Sequence, residues 1–340
     1  MRLRDFIIRR ILLAIPVVLG VLLVTFVLSH IVGDPVALYT SERTRDEAIA
    51  AIRREHGLDQ PLPIQFFYYL RSIFMGDWGY SRTARMDVVD AIGVFFPATI
   101  ELSIFAMIIA VLTGIPLGII SATKKDQMVD HVTRVFALAG VSMPIFWFAL
   151  MLKYIFFFQF NQWGLPHLPS SDRFTYYLPY TQITNFVLID SLLTGNITLF
   201  FDALAHIIMP AVALGYLTLA IIARMMRSSM LEVMGEDYIT LARSKGLRER
   251  IVIYKHALRN AMIPTVTVIG LAFGGLLAGA VLTETIFSWP GVGRWATASI
   301  FNTDIPSISA FVLIVAIVFV AANLIIDLVY GALDPRIRFG

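Results

Sequence analysis

The chain has 340 residues, of which 58% are hydrophobic and 15% charged, with a formal net charge of +3 and no cysteine. A mean hydropathy of +0.76 is too apolar for a water-soluble chain of this length, which must cover its surface with polar groups, so the expected solvent is a bilayer. The absence of cysteine excludes disulfide frameworks, thiolate metal sites and cysteine nucleophiles.

A hydrocarbon core about 30 Å thick takes roughly 20 apolar helical residues to cross. Runs of that kind are expected at about 8–30, 98–121, 132–160, 203–224, 264–287 and 307–331, making six spans. The first follows MRLRDFIIRR with no small-residue cleavage site behind it and reads as a retained anchor. Pro16 inside it is tolerable where neighbouring helices satisfy the freed carbonyl. The long loop 31–97 comes next. Thr44-Arg45-Asp46-Glu47 has capping-box spacing, AIAAIRREH continues with helical character, and Gly57 stops it before LDQPLP, which predicts a helix over 45–56. The second span carries Glu101 and the third Lys153, both in their outer parts, where the two are expected to pair with each other. The intervening loop, SATKKDQMVD, is short. The segment 161–202 is rich in turn formers and aromatics without a period and is expected to be irregular.

The segment from about 225 to 263 interrupts the apolar pattern. Glu232, Glu236 and Asp237 favour helix starts, YITLARSK continues a short helix, Gly246 supplies a left-handed stop, and LRERIVIYKHALRNAM begins another helix. Leu247, Ile251, Tyr254 and Leu258 recur at helical spacing, with Arg248, Lys255 and Arg259 largely opposite. Two readings fit, a helix held on anionic lipid and a surface that docks a partner. Glu284 lies near the outer end of the fifth span, one turn inside SWPGVGRW, where Trp289-Pro290 restricts the backbone and Gly291 and Gly293 permit tight packing. This turn, including Arg294, is a candidate gate at the outer mouth or a re-entrant structural turn. Asp327, near the inner end of the sixth span, is expected to meet Arg224 or Arg227. Trp78, Trp163, Trp289 and Trp295 fall near outer ends or in outer loops and are expected in an aromatic belt or a lid.

Orientation follows from the basic residues. With the N-terminus inside, the inner side holds Arg2, Arg4, Arg9, Arg10, Lys124, Lys125, Arg134, the eight Lys and Arg from Arg224 to Arg259, Arg336 and Arg338, a majority of the 27 in the chain. Most of the rest sit in the long first loop, where the positive-inside rule is weak, so both termini are placed in the cytoplasm. No G-x-x-x-x-G-K-[ST] occurs, and the six histidines show no ligand-like spacing, so the chain is expected to bind neither nucleotide nor metal and to be no enzyme by itself.

GEDYITLARSKGLRERIVIYKHALRNAMIPTVTVIG resembles the EAA loop of ABC importer permeases, in the version found in B-type subunits of the dipeptide, oligopeptide and nickel importers. RRILLAIPVVLGV, GDP at 33–35, SMPIFWF, ARMMRSSMLEVMGEDY, LTETIFSWPGVGR and DPRIR resemble the same family in the same order, with the dipeptide branch the nearest. Ala242 and Gly246 match the general pattern, while Thr240 and Leu241 replace its glutamate and first alanine, and Pro264 comes late. The resemblance implies an all-α membrane protein of the type I permease fold. It would comprise a first span (1–30), a structured periplasmic loop (31–97), a core (98–331) holding the coupling loop 225–263, and a cytoplasmic tail (332–340) in the bacterial inner membrane. It further implies a second, C-type permease as heterodimer partner, two ATP-binding subunits on which ATP and magnesium act, a periplasmic substrate-binding protein, and no nucleic acid. Glu236, Asp237, Tyr238, Ala242, Arg243, Lys245, Gly246, Leu247, His256 and Arg259 then become candidates for ATPase coupling, and Thr44, Glu47, Arg53 and Arg54 for contact with the binding protein, unless that loop is a passive lid. Dipeptides and short peptides lead as substrate, with haem, its precursor 5-aminolevulinate and nickel complexes also open. A stand-alone ion-coupled carrier or channel and a membrane scaffold are the rival classes.

Overall fold

The computed structural model describes residues 3–32, 36, 45–55 and 57–333. Among these residues it is all-α apart from one two-stranded hairpin. α1 (Leu3–Val32) is followed by α2 (Asp46–Glu55), α3 (Leu62–Met75), the hairpin β1 (Tyr80–Ser81) and β2 (Met86–Asp87), and α4 (Val88–Thr123). α5 (Met128–Ser142) and α6 (Ile145–Gln162) come next, then α7 (Val187–Leu193), α8 (Ile197–Met234) and α9 (Asp237–Ser244). α10 runs from Glu249 through a π-helical turn, Val252–Ala257, to Ile286, and α11 (Val292–Phe301) and α12 (Ile305–Leu333) complete the fold.

α4 and α8 form the centre because their facing residues are small. A Cβ at Gly215 would stand 2.6 Å from the Ala106 carbonyl oxygen, and one at Gly118 would stand 2.7 Å from that of Ala223. Backbones that touch in this way pack without hydrophobic assistance from water, as membrane helices must. Of the most apolar window of α8, 72% is buried, against 22% for α1 and α12, so α8 is the central post and the others leave faces for lipid or another chain.

Among the described residues five helices are long and apolar enough to cross a bilayer, and the α5–α6 pair makes a sixth if the two are counted together. The continuous third span expected at 132–160 is broken. α5 and α6 are bent by 107° at Pro144, which leaves Met143 extended at φ −81° and ψ 130°. A proline has no N–H to continue the ladder and pushes the preceding residue out of the helical region. Alone, the 15 residues of α5 reach only about 22 Å at 1.5 Å per residue.

Within its described residues the first loop is shorter than expected and carries a further helix besides the expected one. α2 lies where a helix was expected, and α4 begins at Val88 rather than 98. α3, which no cap announced, ends on Gly76 at φ 85° and packs on α1, with Phe26 against Phe66 at 5.2 Å between ring centroids and Thr25 Oγ1 3.0 Å from the Tyr69 hydroxyl. The segment 161–202 is not simply irregular, since it contains α7 and the start of α8, where Asn196 Oδ1 accepts from the Leu199 N–H at 3.1 Å. Its organiser is Asp190. The buried carboxylate accepts from the Tyr180 hydroxyl at 2.8 Å, from the Thr184 hydroxyl at 2.6 Å, and from the amides of Ile183, Thr184 and Asn185 at 3.1, 2.8 and 3.1 Å. Burial pushes this carboxyl up, but the bonds from Thr184, Ile183 and Tyr180 outweigh it and hold the pKa below the ordinary value.

That lowered pKa makes the loop acid-sensitive. The stabilisation is complete above the free aspartate value near ~3.9 and fades as pH falls through the lower folded-state value. Replacing Asp190 by Asn removes charge-assisted bonds worth roughly 1.5–3 kcal/mol. Hydrogen exchange at the amides of residues 183–185 is expected to accelerate about tenfold or more in Asp190→Asn at neutral pH, with wild type approaching the variant only in strong acid.

Candidate functional site

Two clusters stand at opposite ends of the α4–α8 pair. The first is built on the basic loop between α8 and α10. Ile239 and Ala242 of α9 are buried against Ile119, Met226, Met230, Val252 and Ala257, which seats the short helix on the ends of α4 and α8. Gly246 turns the chain at φ 73°, and across the turn Arg243 Nη2 donates to Glu249 Oε1 at 2.9 Å, raising the arginine's pKa further. Asn260 Nδ2 donates to the Tyr238 hydroxyl at 2.7 Å and fixes its ring. Glu236 is the first-cap residue of α9 without a side-chain cap bond, and Asp237 stands in the first turn. Lys245 and Arg259 are exposed and His256 is half-buried.

The apolar face read along Leu247, Ile251, Tyr254 and Leu258, expected to meet lipid or a partner, is largely left uncovered. The buried residues are Val252, Ala257 and Ala261, Leu258 is half-buried, and Leu247, Ile251 and Tyr254 face outward. The π-helical turn at Val252–Ala257 brings the residues at both of its ends inward. The result is an exposed apolar surface of Tyr238, Leu241 (56% exposed), Leu247, Ile251 and Tyr254 (59% exposed), bordered by Arg248, Lys255 and Arg259. Of the coupling candidates, Ala242 therefore holds the loop to the membrane core, Gly246 and Arg243 shape it, and Tyr238 and Leu247 are presented.

The second cluster surrounds Glu284, at the far end of α10. Its side chain is 0% exposed and accepts from Thr99 Oγ1 at 2.6 Å and from the amides of Gly293 and Arg294 at 2.8 and 3.0 Å. The carboxylate thus serves as the N-terminal cap of α11, where free amides and the helix dipole favour negative charge. Thr99 Oγ1 in turn accepts from the Val292 amide at 2.9 Å, and the buried Trp289 Nε1 donates to the Ala98 carbonyl at 2.9 Å. The Arg294 guanidinium donates to the Ser288 carbonyl. A Cβ at Gly291 would overlap the Glu284 carboxylate, and one at Gly293 would stand 2.7 Å from Val281 Cα. All six gate candidates gather here, Pro290 lining an adjoining cleft of about 700 Å3 with Arg173 and His206.

Other expectations are corrected by this arrangement. Glu101 pairs not with Lys153 but with the buried Arg173, at 2.5 Å from Nη2, while Lys153 Nζ donates to the Ile286 carbonyl at 2.9 Å. Arg227 is bidentate on Asp130, at 2.7 and 2.8 Å, and the side chain of Asp327 lies outside the described residues. Trp289 and Trp295 are core residues, not belt anchors, and only Trp163 of that set is largely exposed. On α2, Glu47, Arg53 and Arg54 are exposed, and Thr44 lies outside the described residues. Thr99, Arg173, Asp130 and Asp190 went unnoticed as site builders, because their partners stand far away in sequence or inside an apparently irregular loop.

With both clusters placed, relatives can be compared. The family described as binding-protein-dependent transport system inner membrane component matches residues 114–339, and its N-terminal companion model matches residues 3–103. The chain belongs to this family. The permease component is 44% identical over 326 residues to the probable D,D-dipeptide transport system permease protein of Escherichia coli strain K12, covering 95% of this chain and 94% of the relative. It is 46% identical over 339 residues to the dipeptide transport system permease protein of the same strain, covering 98% of each. Among solved structures, that of an amino acid ABC transporter with histidines aligns with a TM-score of 0.48 at 14% identity, over 70% of this chain and 91% of the other, a level too low to bear on the fold. The permease component is thus a multi-pass membrane protein by family as well as by its apolar helices.

The crowding at Gly291 yields a measurable contrast. Gly291→Ala places a methyl on the Glu284 carboxylate, whereas Gly275→Ala meets nothing within 4 Å. Overpacking of this kind costs about 1–3 kcal/mol. Thermal unfolding of the detergent-solubilised protein should therefore drop by several degrees in Gly291→Ala and stay near wild type in Gly275→Ala.

Proposed function

We propose that this chain is the transmembrane permease subunit of an ATP-driven importer of dipeptides or short peptides. It works as a heterodimer with a second, C-type permease, receives solute from a periplasmic binding protein, and is driven by two separate ATPase subunits on which ATP and magnesium act. The basic face, with Lys124, Lys125 and the cations of the 236–259 loop, is the cytoplasmic one, and both termini lie on that side. Peptides are favoured as solute because relatives sharing nearly half of their residues over almost the full length carry dipeptide permease names.

The observation that carries the coupling role is the two-sidedness of α9. Ile239 and Ala242 fix it to α4 and α8 by packing, while Tyr238, Leu241 and Leu247 are left for a partner. Moving a two-state transporter from 1:99 to 99:1 takes about 5.5 kcal/mol of differential binding. An exposed ion pair such as Arg243–Glu249, worth roughly 0–1 kcal/mol, does not supply that, so the force enters through packed contacts. At the other end, Glu284 and Trp289 tie α11 to α4, so any gate there moves as a unit with α4 rather than as a free loop.

Purified chain in liposomes should move no dipeptide unaided, whereas the full set of partners with ATP should; uptake by the chain alone would make it a stand-alone carrier instead. Within the active complex, Gly246→Val should abolish ATP-driven uptake while leaving insertion intact. Nothing lies within 4 Å of the missing Cβ, so the cost comes from φ 73° and not from a clash, and a β-branched residue there is strained by about 1–3 kcal/mol. Photo-crosslinkers at Glu47 and Arg54 should capture the binding protein during transport. A fully active complex that yields no such adduct would leave α2 as a lid.

A further inference from the structure

At the basic face a cavity of about 300 Å3 opens between α5 and α8. Its polar lining is Arg134, Arg224 and Arg227 with the hydroxyls of Ser121, Thr133 and Ser228. The carboxylate bonded into this lining is that of Asp130, which is buried and fully engaged. It accepts from Arg227 Nε and Nη2 at 2.7 and 2.8 Å, from Ser121 Oγ at 2.5 Å and from the Asp126 amide at 3.0 Å. Asp130 is thus taken up by Arg227 and reaches Arg134 only at 3.7 Å, and the nearby Asp126 charge acts on Arg227, so the positive charge of the lining is only partly offset among the described residues. Arg134 bonds His131 Nδ1 through Nη2, yet its Nε, 3.7 Å from Asp130 and shielded from solvent, has no hydrogen-bond partner. Arg224 is exposed and bonds to none of the described residues. Lys124 and Lys125, in the adjoining loop, add positive charge on the same side.

The mouth of the cavity is as informative as its floor. Ala137 and Leu138 line it, and Leu138 (61% exposed) and Val141 (45% exposed), one and two helical turns beyond Arg134, continue its face of α5 as an uncovered apolar stripe. A soluble anion would use the arginines and leave this stripe bare. An amphiphile uses both, with its phosphate between guanidinium forks and its chains along the stripe, the arrangement expected of basic pockets between membrane helices.

We propose that this cavity binds the phosphate of an anionic glycerophospholipid from the leaflet at the basic face, with Arg134 and Arg224 as its ligands and the Asp130–Arg227 pair as the rigid wall. The site needs only that the chain spans a bilayer, and it stands whatever solute is carried.

The test uses the assembled importer in nanodiscs of phosphatidylcholine with a minor share of phosphatidylglycerol, gently delipidated and examined by native mass spectrometry. Phosphatidylglycerol should be retained selectively, and the double variant Arg134→Gln, Arg224→Gln should lose that retention about tenfold, as expected for removal of charge-assisted bonds. Arg71→Gln, on the opposite face, should retain it. Because Asp130 and Arg227 are untouched, unchanged ATPase activity in detergent confirms that the double variant is folded. Equal retention by the double variant and wild type, or no preference for phosphatidylglycerol over phosphatidylcholine, overturns the proposal. Displacement of the lipid by millimolar inorganic phosphate overturns the lipid as occupant and assigns the cavity to a soluble phosphate. If the double variant fails to fold, Arg224→Gln alone, whose side chain bonds to none of the described residues, should still halve retention or more, and full retention then rejects the site.

Discussion

The contact on which the rest of the molecule depends is that between the backbones of α4 and α8, where Gly215 lies against the Ala106 carbonyl and Gly118 against that of Ala223. A side chain at either glycine would force the helices apart, and both clusters would lose their foundation. From Thr99 to Ser121 α4 rises about 33 Å at 1.5 Å per residue, close to the thickness of a hydrocarbon core. Thr99 holds Glu284 and the start of α11 at one end, and Ser121 holds Asp130 at the other. One rigid, closely packed pair therefore touches both the basic loop proposed to meet a partner and the Glu284 turn at the opposite end. A displacement imposed at α9 has a stiff route across the membrane, because close-packed interiors transmit strain rather than absorb it.

Buried charge is handled in the same way throughout. Glu101 is matched by Arg173 and the Leu188 amide, Asp130 by Arg227, and Glu284 by a hydroxyl and two amides. Each carboxylate fastens a segment distant in sequence to α4 or α5, and an unpaired charge in these positions would be too costly to keep. Their engagement argues for structural work rather than ion relay, which weakens the case for a carrier that moves solute on an ion gradient.

Two local irregularities then aim the parts. Pro144 turns the chain through 107° between α5 and α6, which frees α5 to lie along the mouth of the arginine-lined cavity. The π-helical turn at Val252–Ala257 rotates the start of α10, so that Ala257 and Ala261 pack inward while Ile251 and Tyr254 are presented. Both are small changes in hydrogen-bond pattern with large consequences for which side chains meet the surroundings.

Composition and run length alone determined that the chain is helical and lives in a bilayer, because the apolar length needed to cross 30 Å is a one-dimensional property. The short helix before Gly246 and the helix at α2 were equally legible, since caps, stops and turn glycines act within a few residues of themselves. Tertiary structure decided what those signals do not encode. Thr99 and Glu284 stand 185 positions apart, so no spacing rule joins them, and Arg173 in an apparently irregular loop gave no hint that it would neutralise Glu101. Which residues of the basic loop pack inward was not legible for a related reason: a 3.6-residue count assumes an unbroken α-helix, and whether a helix admits a π-turn is settled by what it packs against. Local chemistry is written along the chain, but the choice of partners for buried charge and of faces for burial is made only when distant segments compete for the same space.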